Sequence, residues 1–223
     1  MNEDDKPTGR FLASKSVEIM NLREKIVHES LKLFSMKGLL STTTQDIMKK
    51  AKISKGGLYN HFRSKDDLFL AVLSEARKLW RERNLYGLDE IEKPVEKVRK
   101  LLENYRDRYL KDKKSFPGGC IFVALSTELD DQRPKFSKEL NEGFSRLKAM
   151  IKRYLEQGKE SGELRDDVDT EAVAEMIFAG MLGASVIYGT EKSHESLDRS
   201  LNALINYLGS LAPKGPGEDR KKS

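Results

Sequence analysis

Apolar residues in this chain recur in alternating steps of three and four, and no other feature narrows the fold as far. Val95, Val98, Leu102, Tyr105 and Tyr109 step 3, 4, 3, 4, while Leu197, Leu201, Leu204, Leu208 and Leu211 step 4, 3, 4, 3. Such spacing lines one face of a helix with 3.6 residues per turn. No convincing stretch shows the period of two that a half-buried strand requires. The chain is therefore expected to be all-α. With 223 residues it can bury about 70% of its unfolded surface, enough for a core without covalent staples.

Capping signals divide this helical chain. Residues 1–15 read as a flexible arm. A first helix is expected from about Ser16 to Lys37, with Leu22, Ile26, Val27, Leu31, Leu33 and Phe34 inward and Gly38 ending it. Thr43 with Asp46 three residues on is a capping-box variant and opens a short helix to Ala51. After the tight link Ala51-Lys52-Ile53, Ser54 caps a second short helix through Asn60. Ser64 followed by Asp67 repeats the signal and starts a longer helix to about Arg83.

Asn84 to Lys93 reads as a loop or broken turn, and Phe116-Pro117-Gly118-Gly119 as a second interruption before a short buried helix from Ile121 to Leu129. Pro134 lies near the start of a helix that Gly158 and Gly162 end, and Asp169 caps the next. Residues 16–83 form one expected unit and 84–212 a larger one. The tail, 213–223, reads as disordered from its proline, glycine and charge content.

Charge is unevenly placed. Residues 23–66 hold ten basic and four acidic side chains, net +6, whereas residues 67–223 hold 28 of each. A confined positive block suits a polyanion, although a solvated basic face has the same composition. Within this block lies T-T-T-Q-D-I-M-K-K-A-K-I-S-K-G-G-L-Y-N-H-F, from Thr42 to Phe62. Two short capped helices joined by a tight turn make a helix-turn-helix, whose second helix can lie in a major groove of double-stranded DNA. The two helix starts offer free backbone N–H groups to phosphate. Gly56 and Gly57 each cost about 1 kcal/mol against alanine inside a helix, and close approach of a bulky partner gives a reason to keep them.

Gly38 to Ile47 (G-L-L-S-T-T-T-Q-D-I) and Ile53 to Phe69 (I-S-K-G-G-L-Y-N-H-F-R-S-K-D-D-L-F) closely resemble the tetracycline-repressor-like (TetR) family of bacterial transcriptional regulators. The match covers about residues 20 to 70. Gly162-Glu163-Leu164-Arg165 followed by Asp169 looks like an element of that family's C-terminal regions.

The resemblance implies a dimeric repressor of a palindromic operator, released by a small apolar ligand; activation, or response to a partner protein, is the alternative. It implies that Thr43 contacts phosphate and that Ser54 and Lys55 open the recognition helix. Gly56 and Gly57 would lie against the groove, and Lys55 or Asn60 would reach base edges. Tyr59, His61 and Lys65 would contact phosphates. Gly57 departs from the family, which often carries threonine or alanine there. His61 as a structural histidine, and Lys49, Lys50 and Lys52 as a solvated face, remain open readings. Leu58 and Phe62 read as core.

In the larger unit Trp80, Tyr105, Phe122 and Phe178 are the candidates to line a ligand cavity. Ala179 and Gly183, one turn apart, with Leu201, Leu204 and Leu208, are the candidates for the dimer interface. The Pro117-Gly118-Gly119 break reads as a place where a helix can move.

Other classes find little support. His28, His61 and His194 are scattered, and no H-E-x-x-H, phosphate-binding glycine loop or G-x-S-x-G occurs. Cys120 is the single cysteine and reads as a buried small hydrophobe, which excludes an internal disulfide. No cofactor or metal is expected. No unbroken apolar run exceeds the six residues of Cys120 to Leu125, far short of a membrane span, and Met1 to Arg10 lacks an apolar signal core. A cytoplasmic location is expected.

Overall fold

The computed structural model describes residues 20–129 and 132–213. Among them there are nine α-helices and no strand. Helices α1 (Leu22–Lys37), α2 (Thr44–Ala51) and α3 (Lys55–Tyr59) form a small N-terminal unit, and α4 (Lys65–Asn84) leads out of it. The larger part holds α5 (Pro94–Asn104), α6 (Ile121–Leu129), α7 (Pro134–Glu160), α8 (Thr170–Glu191) and α9 (His194–Ser210).

The predicted caps are present at Thr43, Ser54, Ser64 and Asp169. At α1 the cap is Asn21, whose side chain accepts from the Glu24 N–H at 2.9 Å while Glu24 accepts from the Asn21 N–H at 3.0 Å. Helix α1 therefore begins at Leu22. The expected arm and the start at Ser16 lie outside the described residues. Leu22 is exposed, a correction to its expected core role, whereas Ile26, Val27, Leu31, Leu33 and Phe34 are buried.

Four further expectations are corrected. The run from Val95 to Tyr109 is not one α-helix, because residues Tyr105–Leu110 widen into a π-helical turn. There Tyr105 and Tyr109 stack at 5.6 Å and are both buried. The buried Asn104 amide just before it donates to the carbonyls of Asn84 and Tyr86, fixing the end of α5 to the end of α4.

Gly158 does not end α7. It lies inside the helix, where a Cβ would come within 2.4 Å of the Val95 side chain. It is there because α5 and α7 pack closely, and Gly162 (φ 75°) makes the turn instead.

The Pro117-Gly118-Gly119 break is a packing contact rather than a loose hinge. A Cβ on Gly118 would stand 1.7 Å from the Ser35 carbonyl oxygen at the end of α1. Finally, α8 is long and apolar enough by composition to cross a membrane, which the short unbroken runs concealed. It buries Val173, Ile177, Met181 and Tyr188 inside the bundle instead. Of the tail, residues 214–223 lie outside the described residues.

One hydrophobic core runs through both parts. Phe69 of α4 packs between Phe34 of α1 and Phe136 of α7, with ring centroids 6.1 and 4.5 Å away. Helix α6 makes a polar link: the Glu128 carboxylate accepts from the N–H groups of Leu39 at 2.7 Å and Leu40 at 2.8 Å, in the loop between α1 and α2.

Candidate nucleic-acid interface and ligand cavity

The starts of α2 and α3, and the turn between them, are set by local interactions. Thr43 Oγ1 accepts from the Asp46 N–H at 3.1 Å, and Asp46 accepts from both the N–H and the hydroxyl of Thr43 at 3.0 Å. These bonds to Thr43 hold the Asp46 carboxyl below its ordinary value. The Thr43 hydroxyl is therefore engaged within the chain, and its exposed edge lies beside a carboxylate. Lys52 closes α2 in the left-handed conformation (φ 57°), a position that favours glycine and that the sequence reading passed over. Ser54 Oγ then accepts from the Gly57 N–H at 3.1 Å and starts α3.

Leu58 and Phe62 anchor α3 in the core, each 2% exposed. Ser54, Lys55, Gly56, Tyr59, Asn60 and His61 are all exposed, and Gly57 is half-buried. Tyr59 is 45% exposed. Around the turn, Lys49, Lys50, Lys52, Lys55 and Arg63 are exposed, and none has a carboxylate within ion-pair distance among the described residues. Lys65 is half-buried at the start of α4. Burial lowers its pKa from the usual lysine value, and the Glu128 carboxylate pulls the other way.

The two glycines are informative. Neither has a positive φ. A Cβ on Gly56 would meet nothing closer than 3.9 Å, and one on Gly57 nothing closer than 3.5 Å. The chain's own packing thus has room for a side chain at both positions.

A second feature lies about halfway along the molecule. Trp80 of α4, Tyr105 of the π turn, Phe122 of α6 and Phe178 of α8 all line a single cavity of about 270 Å³. The fold brings together four aromatics spread over almost a hundred positions. Phe144 of α7, not among the cavity candidates, completes the wall edge-on to Phe178 at 5.4 Å. Cys120 also faces the cavity and receives a hydrogen bond from the Tyr109 hydroxyl at 3.4 Å. Burial raises the Tyr105 and Tyr109 phenols well above the ordinary tyrosine value, so both are neutral at physiological pH. Sequence reasoning also missed Arg77, Arg81 and Arg146, which line the same cavity. Their signal was the i, i+4 spacing of Arg77 and Arg81 around Trp80.

The residues suggested for a subunit interface divide. Leu201 and Leu208 are 0% and 1% exposed, so they fill the chain's own core; this corrects their assignment to an apolar outer seam. Leu204 is half-buried against Gly180. Ala179 and Gly183 are exposed, and Met176, Val186 and Ile187 extend the same face of α8, 39%, 50% and 40% exposed.

Comparison with known proteins agrees with this architecture. The profile described as bacterial regulatory proteins, tetR family, matches residues 26–72, and that of the tetracyclin repressor-like C-terminal domain matches residues 94–204. The transcriptional repressor DhaR of Mycobacterium sp. (strain GP1) is 27% identical over 188 residues, 84% of this chain and 92% of that protein. A helix-turn-helix-type transcriptional regulator of Lactococcus lactis is 31% identical over 143 residues, 62% of this chain and 72% of that protein. Among solved structures, a TetR transcriptional regulator from Chloroflexus aurantiacus superposes with a TM-score of 0.77 at 29% identity, covering 84% of this chain and 93% of that one. The fold of AibR, solved with isovaleryl coenzyme A and operator DNA, matches with a TM-score of 0.68 at 17% identity, covering 87% of this chain and 100% of that one. With the helix-turn-helix at its N-terminus and the matching helical domain behind it, the chain belongs to the TetR family of DNA-binding transcriptional regulators, which are not enzymes.

Proposed function

We propose that the protein is a cytoplasmic repressor that binds a two-fold operator as a homodimer and leaves it when a small ligand fills the cavity. DhaR is a repressor, and AibR was solved with both isovaleryl coenzyme A and operator DNA, which supports a protein of this fold that holds an operator and a small ligand. The observation that carries DNA contact is Gly56. Glycine destabilises a helix by about 1 kcal/mol relative to alanine, and the chain's own packing does not need it there. The requirement comes from outside the chain, as close approach of the α3 backbone to a groove. Thr43, Ser54, Lys55, Tyr59, Asn60, His61 and Lys65 surround it as the phosphate and base contacts.

Two variants test this reading on an operator selected from random DNA. Gly56→Ala should raise stability by about 0.5–1 kcal/mol while weakening operator binding at least tenfold. Equal affinity with the raised stability would remove α3 from the interface. Lys65→Ala should weaken binding to all sequences alike and lower the slope of log K against log salt by about 0.9, one lost phosphate contact. An unchanged slope removes Lys65 from the contact set.

Two links carry the cavity's state to the helix-turn-helix in this reading. Helix α4 runs from Lys65 to Arg77, Trp80 and Arg81 in the cavity wall, a 20-residue rod about 30 Å long. Helix α6 carries Phe122 in the wall at one end and Glu128 on the Leu39–Leu40 backbone at the other. A ligand that favours the non-docking arrangement by about 1.4 kcal/mol weakens operator binding tenfold, and DNA weakens the ligand equally.

A further inference from the structure

The chemical class of the ligand can be read from the cavity wall, given that this cavity is the ligand site. Its interior is hydrocarbon and aromatic. Among the polar groups there, Cys120 Sγ accepts from the Tyr109 hydroxyl, and burial keeps the Tyr105 phenol neutral. An occupant's body there meets mainly aliphatic and aromatic side chains and is itself apolar.

The rest of the wall is cationic, with three guanidinium groups against one carboxylate. Arg77 is committed, its Nη2 donating to the Glu139 carbonyl at 2.7 Å and to the Glu139 carboxylate at 3.0 Å. Arg146 is exposed and held only loosely by Glu142 at 3.8 Å. Arg81 is exposed and has no carboxylate partner among the described residues. Lys148, near the outer face of Phe178, is paired with Glu175 at 2.6 Å. One guanidinium is thus left uncompensated beside an apolar chamber. Its planar fork matches a carboxylate in shape and charge.

We propose that the cavity takes an amphipathic monocarboxylate, with its apolar body among Trp80, Phe122, Phe144 and Phe178 and its carboxylate on Arg81, assisted by Arg146. The cavity's 270 Å³ equals roughly nine waters of liquid volume, which sets the whole occupant at about eight to ten heavy atoms. Octanoate meets both conditions.

Trp80 is the only tryptophan, so its emission reports on the cavity directly. Octanoate, 1-octanol and octylamine are titrated at pH 7 against the full chain, following Trp80 emission and melting temperature. Octanoate is expected to bind at least tenfold tighter than octanol, with octylamine weakest. Arg81→Gln should bring octanoate down to the affinity of octanol and leave octanol binding unchanged, which also shows that the variant is folded. Octanol binding as tightly as octanoate, or octylamine binding tighter, overturns the carboxylate assignment while leaving the cavity as a ligand site. If all three leave both signals unmoved at millimolar concentration, the cavity reading falls with it.

Discussion

Gly118→Ala is expected to cost at least about 3 kcal/mol and to lower the melting temperature by roughly 6–12 °C for a chain of this size. The added methyl would lie 1.7 Å from the Ser35 carbonyl oxygen and 2.3 Å from its carbon. Both partners are backbone, so no side chain can swing aside. Relief requires the loop before α6 to lift from the end of α1. That movement also pulls on Glu128, whose carboxylate holds the Leu39 and Leu40 N–H groups. Operator affinity should therefore fall with stability. Gly119 is the internal control. Its φ is 99°, but a Cβ there would meet nothing within 4 Å. Gly119→Ala meets backbone strain alone, about 1–2 kcal/mol. Urea and thermal melts of both variants decide between the two causes: a Gly118→Ala protein melting within 2 °C of the parent would mean that this contact is not tight in solution.

These glycines show where sequence reasoning reaches and where it stops. The caps at Thr43, Ser54, Ser64 and Asp169 were legible because capping is local: donor and acceptor lie within three residues. The start of α1 at Asn21 was as local, and its Glu24 partner carried the signal, but Ser16 and the apolar Leu22 masked it. The aromatic set around the cavity was legible as a composition, not as a geometry. Nothing near Trp80 in the sequence announces Phe178. Gly118 and Gly158 were read as breaks because a glycine's meaning depends on what lies opposite, here Ser35 and Val95, 83 and 63 positions away. The leucines of α9 failed for a similar reason. A 3–4 rhythm identifies an apolar face but not whether that face turns to its own core or to another chain.

The proposed homodimer would join through the exposed outer face of α8, and Val186→Glu should have the largest effect of all on function. Helix α8 is apolar nearly all round, a pattern of helices covered on every side. In this chain Met176, Ala179, Gly183, Val186 and Ile187 nevertheless face outward. A Cβ on Gly183 would meet nothing within 4 Å, so its own bundle has no need of a glycine there. As proposed for Gly56, the need would come from outside, and in the proposed homodimer a second α8 crossing at Ala179 and Gly183 would supply it. A charge at Val186, half exposed in the single chain, leaves the internal core untouched but stands unpaired in a joined face, at a cost of several kcal/mol. The variant should sediment as a folded monomer with an unchanged helical spectrum. It should also bind the full operator at least a hundredfold more weakly, because the second half-site is no longer engaged at the roughly millimolar effective concentration that a tethered partner provides. Leu201→Glu, by contrast, should unfold the chain, since Leu201 is fully buried in its own bundle. If the Val186→Glu protein stays dimeric with full operator affinity, the two chains join through some other surface, and Gly183 is left without a reason.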